Sequence, residues 1–298
     1  MSFSSDTKQE LCRQKAERKC CAMAECYGVL LYCNTFSAQE IRIITASTAF
    51  AQRLPRLFRR AFGLGFDAVQ GKEGGKQSFS ITDREKLSQI ISAYGGDIEQ
   101  LLSHHINFGM IEEDCCRVAF VRGAFLAGGS VTDPEKRYHL ELATAHHSVS
   151  REAYSLLLEL GFSPKETHRG GNSLLYFKQA DTIADLLTTL GASSAAMAVM
   201  TAKVEKEMRN TVVRQINCDS ANADKTVAAA QAQMSAIRRI SRDYGLEILP
   251  EPLRDAALLR IANPEASLSD LVLLSDPPLT KSCLNHRLKK IMSFVPKE

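Results

Sequence analysis

The chain carries its most specific chemistry in a run of hydrogen-bond donors near its carboxyl end. Residues 281–290 read KSCLNHRLKK, with four cationic side chains and no acid. Side chains of these types donate to base edges in DNA grooves and to backbone phosphates. The residues predicted to contact DNA are Thr280, Lys281, Ser282, Asn285, His286, Arg287, Lys289 and Lys290. A solvated basic helix face without a nucleic-acid partner is the alternative interpretation.

Local signals around this run predict a helix-turn-helix over residues 267–295. Ser267, with Asp270 three residues later, is a capping-box start for a short helix. Prolines at 277 and 278 end that helix because proline lacks an amide donor. Thr280 suits the N-cap of a second helix, whose start would enter the major groove and read base edges. The apolar face expected for this second helix consists of Leu284, Leu288, Ile291, Met292 and Val295.

The region upstream contains a second set of basic residues. Residues 198–222 are predicted to be a connector, with a flexible break at 217–223 (NCDSANA). A long helix is predicted after Asn222, with an apolar face formed by Val227, Ala230, Met234, Ile237 and Ile240. Near its end stand Arg238, Arg239 and Arg242. We expect these arginines either to contact phosphates, as Ser267 would, or only to complement the helix dipole.

Two segments in the first two thirds of the chain are copies of each other without a gap. Residues 74–95 read GGKQSFSITDREKLSQIISAYG and residues 170–191 read GGNSLLYFKQADTIADLLTTLG, an offset of 170 − 74 = 96. Each copy predicts a glycine turn, a short strand and an amphipathic helix closed by glycine. Looser similarity upstream predicts paired helices at 21–28 and 118–129, paired strands at 41–45 and 138–143, and second helices ending at 62–63 and 160–161. The pattern indicates one duplicated α+β domain.

The second copy contains a string of small residues that resembles a known motif. Residues 125–133 read FLAGGSVTD, similar to the motif of the LAGLIDADG homing endonucleases. The resemblance rests on Phe125, Leu126, Ala127, Gly128, Gly129 and Asp133. Small residues four apart, Ala24 and Gly28 in one copy and Ala124 and Gly128 in the other, predict two closely packed helices. The resemblance implies a duplicated αββαββα fold.

The motif is degenerate where a nuclease would need its acids. Nucleases of this type need one acid at the foot of each motif helix, because two carboxylates balance the charge of the metal ions. Asp133 is that acid in the second copy, whereas its match in the first is predicted at Tyr32 or Cys33. Neither is a hard anionic ligand, and Glu25 lies about two helical turns too early. Asp133 precedes Pro134 and is expected to turn the chain, so we predict no enzyme activity.

Other residue patterns predict neither a metal site nor a cofactor. The nine cysteines stand at positions 12, 20, 21, 26, 33, 115, 116, 218 and 283, without a CxxC pair. The nearest approach to a ligand cluster (Cys20, Cys21, Cys26 and Cys33) contains no histidine, so we predict reduced thiols. Histidine pairs at 104–105 and 146–147 point to different faces, and the glycine turns lack the phosphate-loop pattern. No small-molecule substrate is expected.

Composition limits the class of protein only broadly. The 298 residues suggest about two domains, and 45% apolar residues are enough to form their cores. A formal net charge of +3 permits nucleic-acid binding without indicating it. No apolar run approaches the roughly 18 residues of a membrane span, and the opening MSFSSDTKQEL lacks the apolar core of a signal peptide. We therefore expect a cytoplasmic protein that does not bind membranes, associated with the nucleoid if it binds DNA.

The amino-acid sequence of the C-terminal region closely resembles that of one family. LPEPLRDAALLRIANPEASLSDL, followed by PPLTKSCLNHRLKKI, is similar to the C-terminal domain of the WhiA family, and the opening MSFSSDTKQEL also resembles that family. The resemblance implies a DNA-binding transcription regulator of sporulation, or of cell division and chromosome segregation. The alternatives are a residual nuclease, or an adaptor whose N-terminal domain binds a protein such as a sigma factor. The domains predicted are 1–197 (repeats at about 8–100 and 115–195), 198–222 and 223–298.

Overall fold

The computed structural model describes residues 2–15, 18–72, 74–99 and 103–294. The chain divides into two compact units, Met1–Lys206 and Glu207–Glu298, and each unit is described by itself below. The first unit contains helices and two sheets, and the second is helical over its described residues. This is the predicted α+β fold class followed by an all-α part.

The first unit repeats one order of elements twice. After helix α1 (Phe3–Arg13), the first repeat comprises α2 (Lys19–Tyr32), β1 (Thr35–Phe36), β2 (Ile41–Thr45), α3 (Thr48–Phe62), β3 (Ala68–Gln70), β4 (Gln77–Ile81) and α4 (Arg84–Ala93). The second comprises α5 (Asp114–Gly128), β5 (Gly129–Val131), β6 (Leu140–Thr144), α6 (His147–Glu159), β7 (Lys165–Arg169), β8 (Asn172–Phe177) and α7 (Ala180–Leu190). Each repeat is the predicted αββαββα unit.

The two sheets have the same antiparallel topology, which confirms the duplication. Their strand orders are β1-β2-β4-β3 and β5-β6-β8-β7. Ile41 pairs with Ile81 in the first sheet, and Leu140 pairs with Phe177 at the equivalent place in the second. Ile81 and Phe177 lie 177 − 81 = 96 residues apart, the offset that the sequence repeat predicts.

The sequence did not predict four of these strands. Strands β1, β3 and β5 are two or three residues long, too short to show an alternating pattern. In β7 every residue is exposed, so no apolar side marks it as a strand. All four lie at sheet edges, where pairing with one neighbour stabilises a strand with little burial.

Helices α2 and α5 cross at two glycines, where their backbones touch. A Cβ atom at Gly28 would collide with the carbonyl oxygen of Phe120, and one at Gly123 would collide with that of Glu25. The two glycines are therefore equivalent, at an offset of 123 − 28 = 95. The predicted close packing of the two helices is confirmed, but Gly123 rather than Gly128 lies at the crossing; Gly128 lies at the end of α5, where a Cβ would meet the carbonyl oxygens of Ala143 in β6 and Tyr32 in α2.

A buried carboxylate joins four helices beside this crossing. Glu25 is completely buried and accepts hydrogen bonds from Arg53 Nε (2.6 Å) and Nη2 (2.7 Å). Arg122 Nη1 of α5 lies 3.6 Å from the same carboxylate, and Arg53 Nη1 donates to the backbone oxygens of Cys12 and Gln14. A buried charge needs such partners, since its desolvation costs several kcal/mol. Glu25 is therefore a structural residue that links α2 to α3, α5 and the end of α1.

Helix α8 (Ser193–Asp243) runs without interruption for 51 residues from the first unit into the second. The predicted break at 217–223 is therefore wrong, because these residues continue the helix, and the predicted connector at 198–222 lies within the same helix. That stretch contains neither glycine nor proline, and its asparagines, aspartate and serine each cost only about 0.5 kcal/mol of helix propensity. The predicted apolar face is correct for Ala230, Ile237 and Ile240, but Val227 is 54% exposed.

The second unit has its own apolar core. It contains the end of α8 with α9 (Glu251–Ala262), α10 (Leu268–Leu273) and α11 (Lys281–Met292). The core residues are Ile237, Ile240, Leu249, Ala256, Ala257, Leu271, Leu284, Leu288 and Ile291. All four helices contribute to this one cluster, so the burial of α11 depends on its neighbours.

We expect the variant Gly123→Ala to destabilise the first unit by about 1–3 kcal/mol, the usual cost of overpacking a close contact. The added methyl group meets the Glu25 backbone and pushes α2 and α5 apart. Gly65→Ala is the matched control, because a Cβ there meets nothing within 4 Å. Urea unfolding followed by circular dichroism measures both. Equal stability of the two variants would contradict the proposed importance of the crossing.

Candidate nucleic-acid interface

The predicted capping box at the start of α10 is present in full. Ser267 Oγ accepts a hydrogen bond from the Asp270 amide at 3.2 Å, and Asp270 Oδ2 accepts one from the Ser267 amide at 3.0 Å. Both the amide and the hydroxyl of Ser267 are therefore hydrogen-bonded to Asp270, whose carboxylate lies beside them. This pair sets where α10 begins.

Side-chain hydrogen bonds also shape the turn between α10 and α11. Ser275 Oγ donates to the Val272 carbonyl oxygen at 2.8 Å and accepts from the Leu279 amide at 3.0 Å. Thr280 is the N-cap of α11, as predicted, and accepts from the Cys283 amide at 3.2 Å. These contacts set the start of α11 at Lys281, the first residue of the donor-rich run 281–290.

The underside of α11 is held in the core of the second unit. Leu284, Leu288 and Ile291 are buried, as predicted. Met292 was wrongly assigned to this face, since it is 41% exposed. At about 100° per residue it lies roughly 70° from the centre of the buried stripe. Val295 lies outside the described residues.

The outer side of α11 carries most of the predicted DNA-contacting residues. Lys281, Ser282, His286, Lys289 and Lys290 are exposed, and Asn285 is half-buried among them. At about 100° per residue, positions 282, 285, 286 and 289 fall within roughly one third of the helix circumference. The helix therefore presents an amide, a hydroxyl, an imidazole and an ammonium group on one face.

Arg287 lies on a different side of the helix. It is half-buried, and its Nη1 donates to the backbone oxygen of Pro252 in α9 at 3.4 Å. At about 100° per residue it is separated from Ser282 and Lys289 by at least about 140°. The structure therefore does not bring Arg287 together with the outer face, although the sequence run includes it.

A buried arginine that the sequence did not indicate supports the same motif. Arg260 of α9 is 2% exposed, and its Nη1 donates to the backbone oxygens of Ala266 (2.6 Å) and Asn263 (3.3 Å). These oxygens belong to the turn that leads into the Ser267 cap. Nothing in the local sequence distinguishes Arg260 from the exposed arginines, because its burial depends on how α9 packs.

The three arginines near the end of α8 are exposed on the side opposite its buried residues. Arg238 and Arg239 stand between Ile237 and Ile240, which lie in the core of the second unit. Arg242 Nε donates to Asp243 Oδ1 at 2.7 Å. Its charge is thus partly engaged, whereas the two preceding arginines project from the helix.

The acid position of the degenerate motif lies in a loop of the first unit. Asp133 Oδ1 accepts from the Glu135 amide at 3.0 Å, so the residue turns the chain, as expected. The Thr132 amide bonds to the His139 oxygen, and the Ser37 amide bonds to the Glu40 oxygen in the matching loop. At this offset of 132 − 37 = 95, Asp133 corresponds to position 38, an alanine. Tyr32 and Cys33 lie at the end of α2, as predicted for the foot of the first motif helix, whereas Asp133 lies beyond β5 and not at the foot of α5, so they are not equivalent to it.

The open face of the second sheet carries an acid with a histidine and an arginine beside it. Along β6 the residues alternate, so that Leu140 and Leu142 are buried while Glu141 lies on the opposite face. Its carboxylate is 3.0 Å from His139 Nε2 and 3.2 Å from Arg169 Nη2. Burial alone would raise the pKa of Glu141, but these two partners and Ser130 outweigh it and lower the pKa.

Two side-chain groups within the described ranges have a geometry that could hold a metal ion. His147, Glu166 and His168 form an exposed group on the second repeat. Cys20 and Cys21 meet Cys115 and Cys116, while Cys26 and Cys33, which the sequence grouped with the first pair, are not part of this cluster. Ligand spacing along the chain could not show this, because the two pairs lie 115 − 20 = 95 residues apart.

Over the same described residues, no helix has both the length and the apolar character needed to span a membrane.

Comparisons with known proteins cover the whole chain. The family models for the WhiA LAGLIDADG-like domain and the WhiA C-terminal HTH domain match residues 117–209 and 212–295. A "probable cell division protein WhiA" from Alkaliphilus metalliredigens is 34% identical over 100% of this chain and 98% of its own length. The protein of the same name from Ruminiclostridium cellulolyticum is 36% identical over 98% of this chain and 96% of its own length.

The fold is also similar to those of solved WhiA structures. The crystal structure of full-length WhiA from Thermatoga maritima matches with a TM-score of 0.61 at 24% identity, covering 98% of this chain and 97% of that one. The crystal structure of a WhiA N-terminal LAGLIDADG domain matches with a TM-score of 0.51 at 18% identity, over 64% of this chain and 90% of that one. Since relatives more than 30% identical match nearly all of both chains, this chain belongs to the WhiA family.

Proposed function

We propose that this protein is a sequence-specific DNA-binding transcription regulator in which the start of α11 enters the major groove. The observation that carries the proposal is the outer face of α11, where exposed donors stand on a helix whose underside is locked in a core. Relatives named as probable cell division proteins support a role in cell division, with chromosome segregation or sporulation as the wider family context.

The proposed base-reading residues lie in the first two turns of α11. Asn285 offers the amide that pairs with an adenine edge, and Lys281 can donate to guanine. Ser282 and His286 can each contact either a base or a phosphate. The half-burial of Asn285 limits its rotamers, which favours a defined contact over a mobile one.

Charge on α11 supports binding to a polyanion. Residues 281–290 contain no acid, and Lys289 and Lys290 are exposed near the end of the helix. Each phosphate that such a cation neutralises releases condensed counterions, so affinity falls as salt rises. Lys290 is a better candidate than Lys289 for a contact with phosphate alone. It lies about 100° around the helix from Lys289, which shares a face with the proposed base-reading residues.

The end of α8 offers a second candidate phosphate contact within the same unit. We assign Arg238 and Arg239 to this role, since both are exposed. Arg242 is the weaker candidate because Asp243 already holds its guanidinium group. Ser267 is weaker still, since the Asp270 carboxylate beside it repels phosphate.

We propose that the first unit is not a nuclease and contributes little DNA affinity. The position equivalent to Asp133 is Ala38, which leaves at most one of the two acids that a two-metal site needs. On the open face of the second sheet, Glu141 carries a negative charge that Arg169 offsets. The unit would instead orient the DNA-binding part or contact a protein.

Asn285→Ala and Lys290→Ala should have different effects in the full-length chain. After a binding site has been selected from random duplexes, we expect Asn285→Ala to weaken specific binding by about 1–3 kcal/mol and relax one base position. Lys290→Ala should weaken all sequences alike and reduce the slope of log affinity against log salt by about 0.9. Fluorescence anisotropy over a salt series measures both.

Two residues of α8 provide matched controls for these variants. Asn222→Ala and Lys225→Ala remove the same groups from exposed positions of α8, and we expect neither to change affinity, specificity or the salt slope. If Asn285→Ala weakened specific and random DNA equally, α11 would not read bases as proposed. Absence of any binding at low salt would reject the function itself.

Removing the first unit should leave most of the specific affinity. The segment 207–298 retains its own core, and circular dichroism checks that it is helical. We expect its affinity for the selected duplex to remain within about tenfold, or 1.4 kcal/mol, of the full-length value. A greater loss from a folded segment would mean that the first unit also grips DNA.

The full-length protein should not cleave supercoiled plasmid with Mg²⁺ or Mn²⁺. The physical reason is the alanine at position 38, which cannot share a metal with Asp133. Gel electrophoresis of the plasmid measures nicking and linearisation. Cleavage that persisted in Asp133→Ala would indicate a contaminating nuclease, whereas cleavage abolished by that variant would contradict the proposal.

A further inference from the structure

Four cysteines from the two repeats meet at the beginning of the central helix pair. Cys20 and Cys21 are the second and third residues of α2, and Cys115 and Cys116 are the second and third residues of α5. The pairs differ by 115 − 20 = 95 positions, the same offset that relates Gly28 to Gly123. The pseudo-symmetry that brings the helices together therefore also brings the two thiol pairs together.

The four sulfur atoms are close enough for one metal ion. All lie within 4.8 Å of one another, and the distance within each adjacent pair is 4.0 Å. A tetrahedral zinc ion with Zn–S bonds of about 2.3 Å needs sulfur atoms about 3.8 Å apart. The thiols would have to move inward by only about 1 Å or less, which side-chain rotation can supply.

The site lies at the beginnings of two helices, which suits ligands that bind a cation as anions. Both cysteine pairs lie in the first turn of a helix, where the unpaired amides and the helix dipole stabilise negative charge. Asp114 precedes Cys115, but its carboxylate is exposed and paired with Arg117.

We propose that Cys20, Cys21, Cys115 and Cys116 form a structural zinc site that clips the start of α2 to the start of α5. Thiolate ligands prefer a soft or borderline cation, which selects zinc over magnesium or calcium. Binding replaces the thiol protons, which pass to solvent, and no electron is transferred. Cys20 and Cys115 are exposed, so an ion can enter from solvent, while Cys116 is buried at the inner side.

A bound ion would stabilise the first unit because the site exists only when both repeats are folded. The two ligand pairs are far apart along the chain, so the unfolded chain lacks the preformed site. Binding free energy then adds to folding free energy. The role is structural, because four protein ligands leave no open position for a substrate.

Cobalt provides a direct test with the full-length protein. The chain is purified with a thiol-free reductant, stripped with a chelator and titrated with Co²⁺. We expect one equivalent to bind, with the sulfur-to-cobalt charge-transfer band and the visible absorption of tetrahedral cobalt. Added Zn²⁺ should remove both signals, and zinc should raise the Tm of the stripped protein.

Substitution separates this site from the other thiols. The double variant C20S/C115S removes one ligand from each pair and should weaken cobalt binding by at least about 100-fold, with loss of the zinc-dependent change in Tm. Cys218→Ser is the matched control, since it removes an exposed cysteine of α8 and should keep both signals. Circular dichroism confirms that the variants are folded.

Three outcomes would overturn the proposal. The first is the absence of a thiolate–cobalt band in protein whose nine cysteines all react with a thiol reagent after unfolding. The second is equal loss of binding in C20S/C115S and Cys218→Ser. The third is a disulfide between the two pairs, found by mass spectrometry of protein kept in reductant, which would identify a covalent link in place of a metal.

Discussion

The direct contact of α2 with α5 at Gly28 and Gly123 is the constraint on which the first unit depends. Only residues without a Cβ allow the two backbones to approach this closely. That approach puts the Glu25 carboxylate between Arg53 and Arg122, so that one buried charge is satisfied from two other helices. It also brings the cysteine pairs together at the beginning of the two helices. Separation at the crossing would disturb all of these contacts.

The two repeats preserve the backbone of a duplicated domain but do not both carry an acid at the position of Asp133. Equivalent strands pair in equivalent register, and equivalent loop hydrogen bonds begin at Ser37 and Thr132. Packing maintains these features, because a register shift would turn apolar side chains outward. Packing does not maintain an acid at Asp133 or at the equivalent position, because both positions lie in loops. The sequences have accordingly diverged to Ala38 and Asp133 at one equivalent position, while the helix crossing has kept its glycine in both repeats.

The second unit shows how a short helix is held rigid by its neighbours. Helix α11 has only 12 residues, and an isolated helix of that length is marginal in water. Its underside packs against α8, α9 and α10, while Thr280 caps its start. Arg260 fixes the turn before α10 from inside the fold. The donors on the outer face are thus presented by a packed scaffold, which limits the conformational entropy that binding any partner there would cost.

Signals that act over a few residues were determined by the sequence alone. The Ser267–Asp270 capping box, the Thr280 cap and the glycine-bounded repeats depend on backbone groups no more than about one turn away, so their pattern suffices. The 96-residue repeat likewise identified the duplicated fold. Tertiary structure decided which glycine faces Gly28, that the cysteine pairs meet, that Arg260 is buried and that Arg287 turns towards α9. Each of these depends on how two distant segments cross, and the energy of that crossing is shared by the whole core, so no local pattern records it.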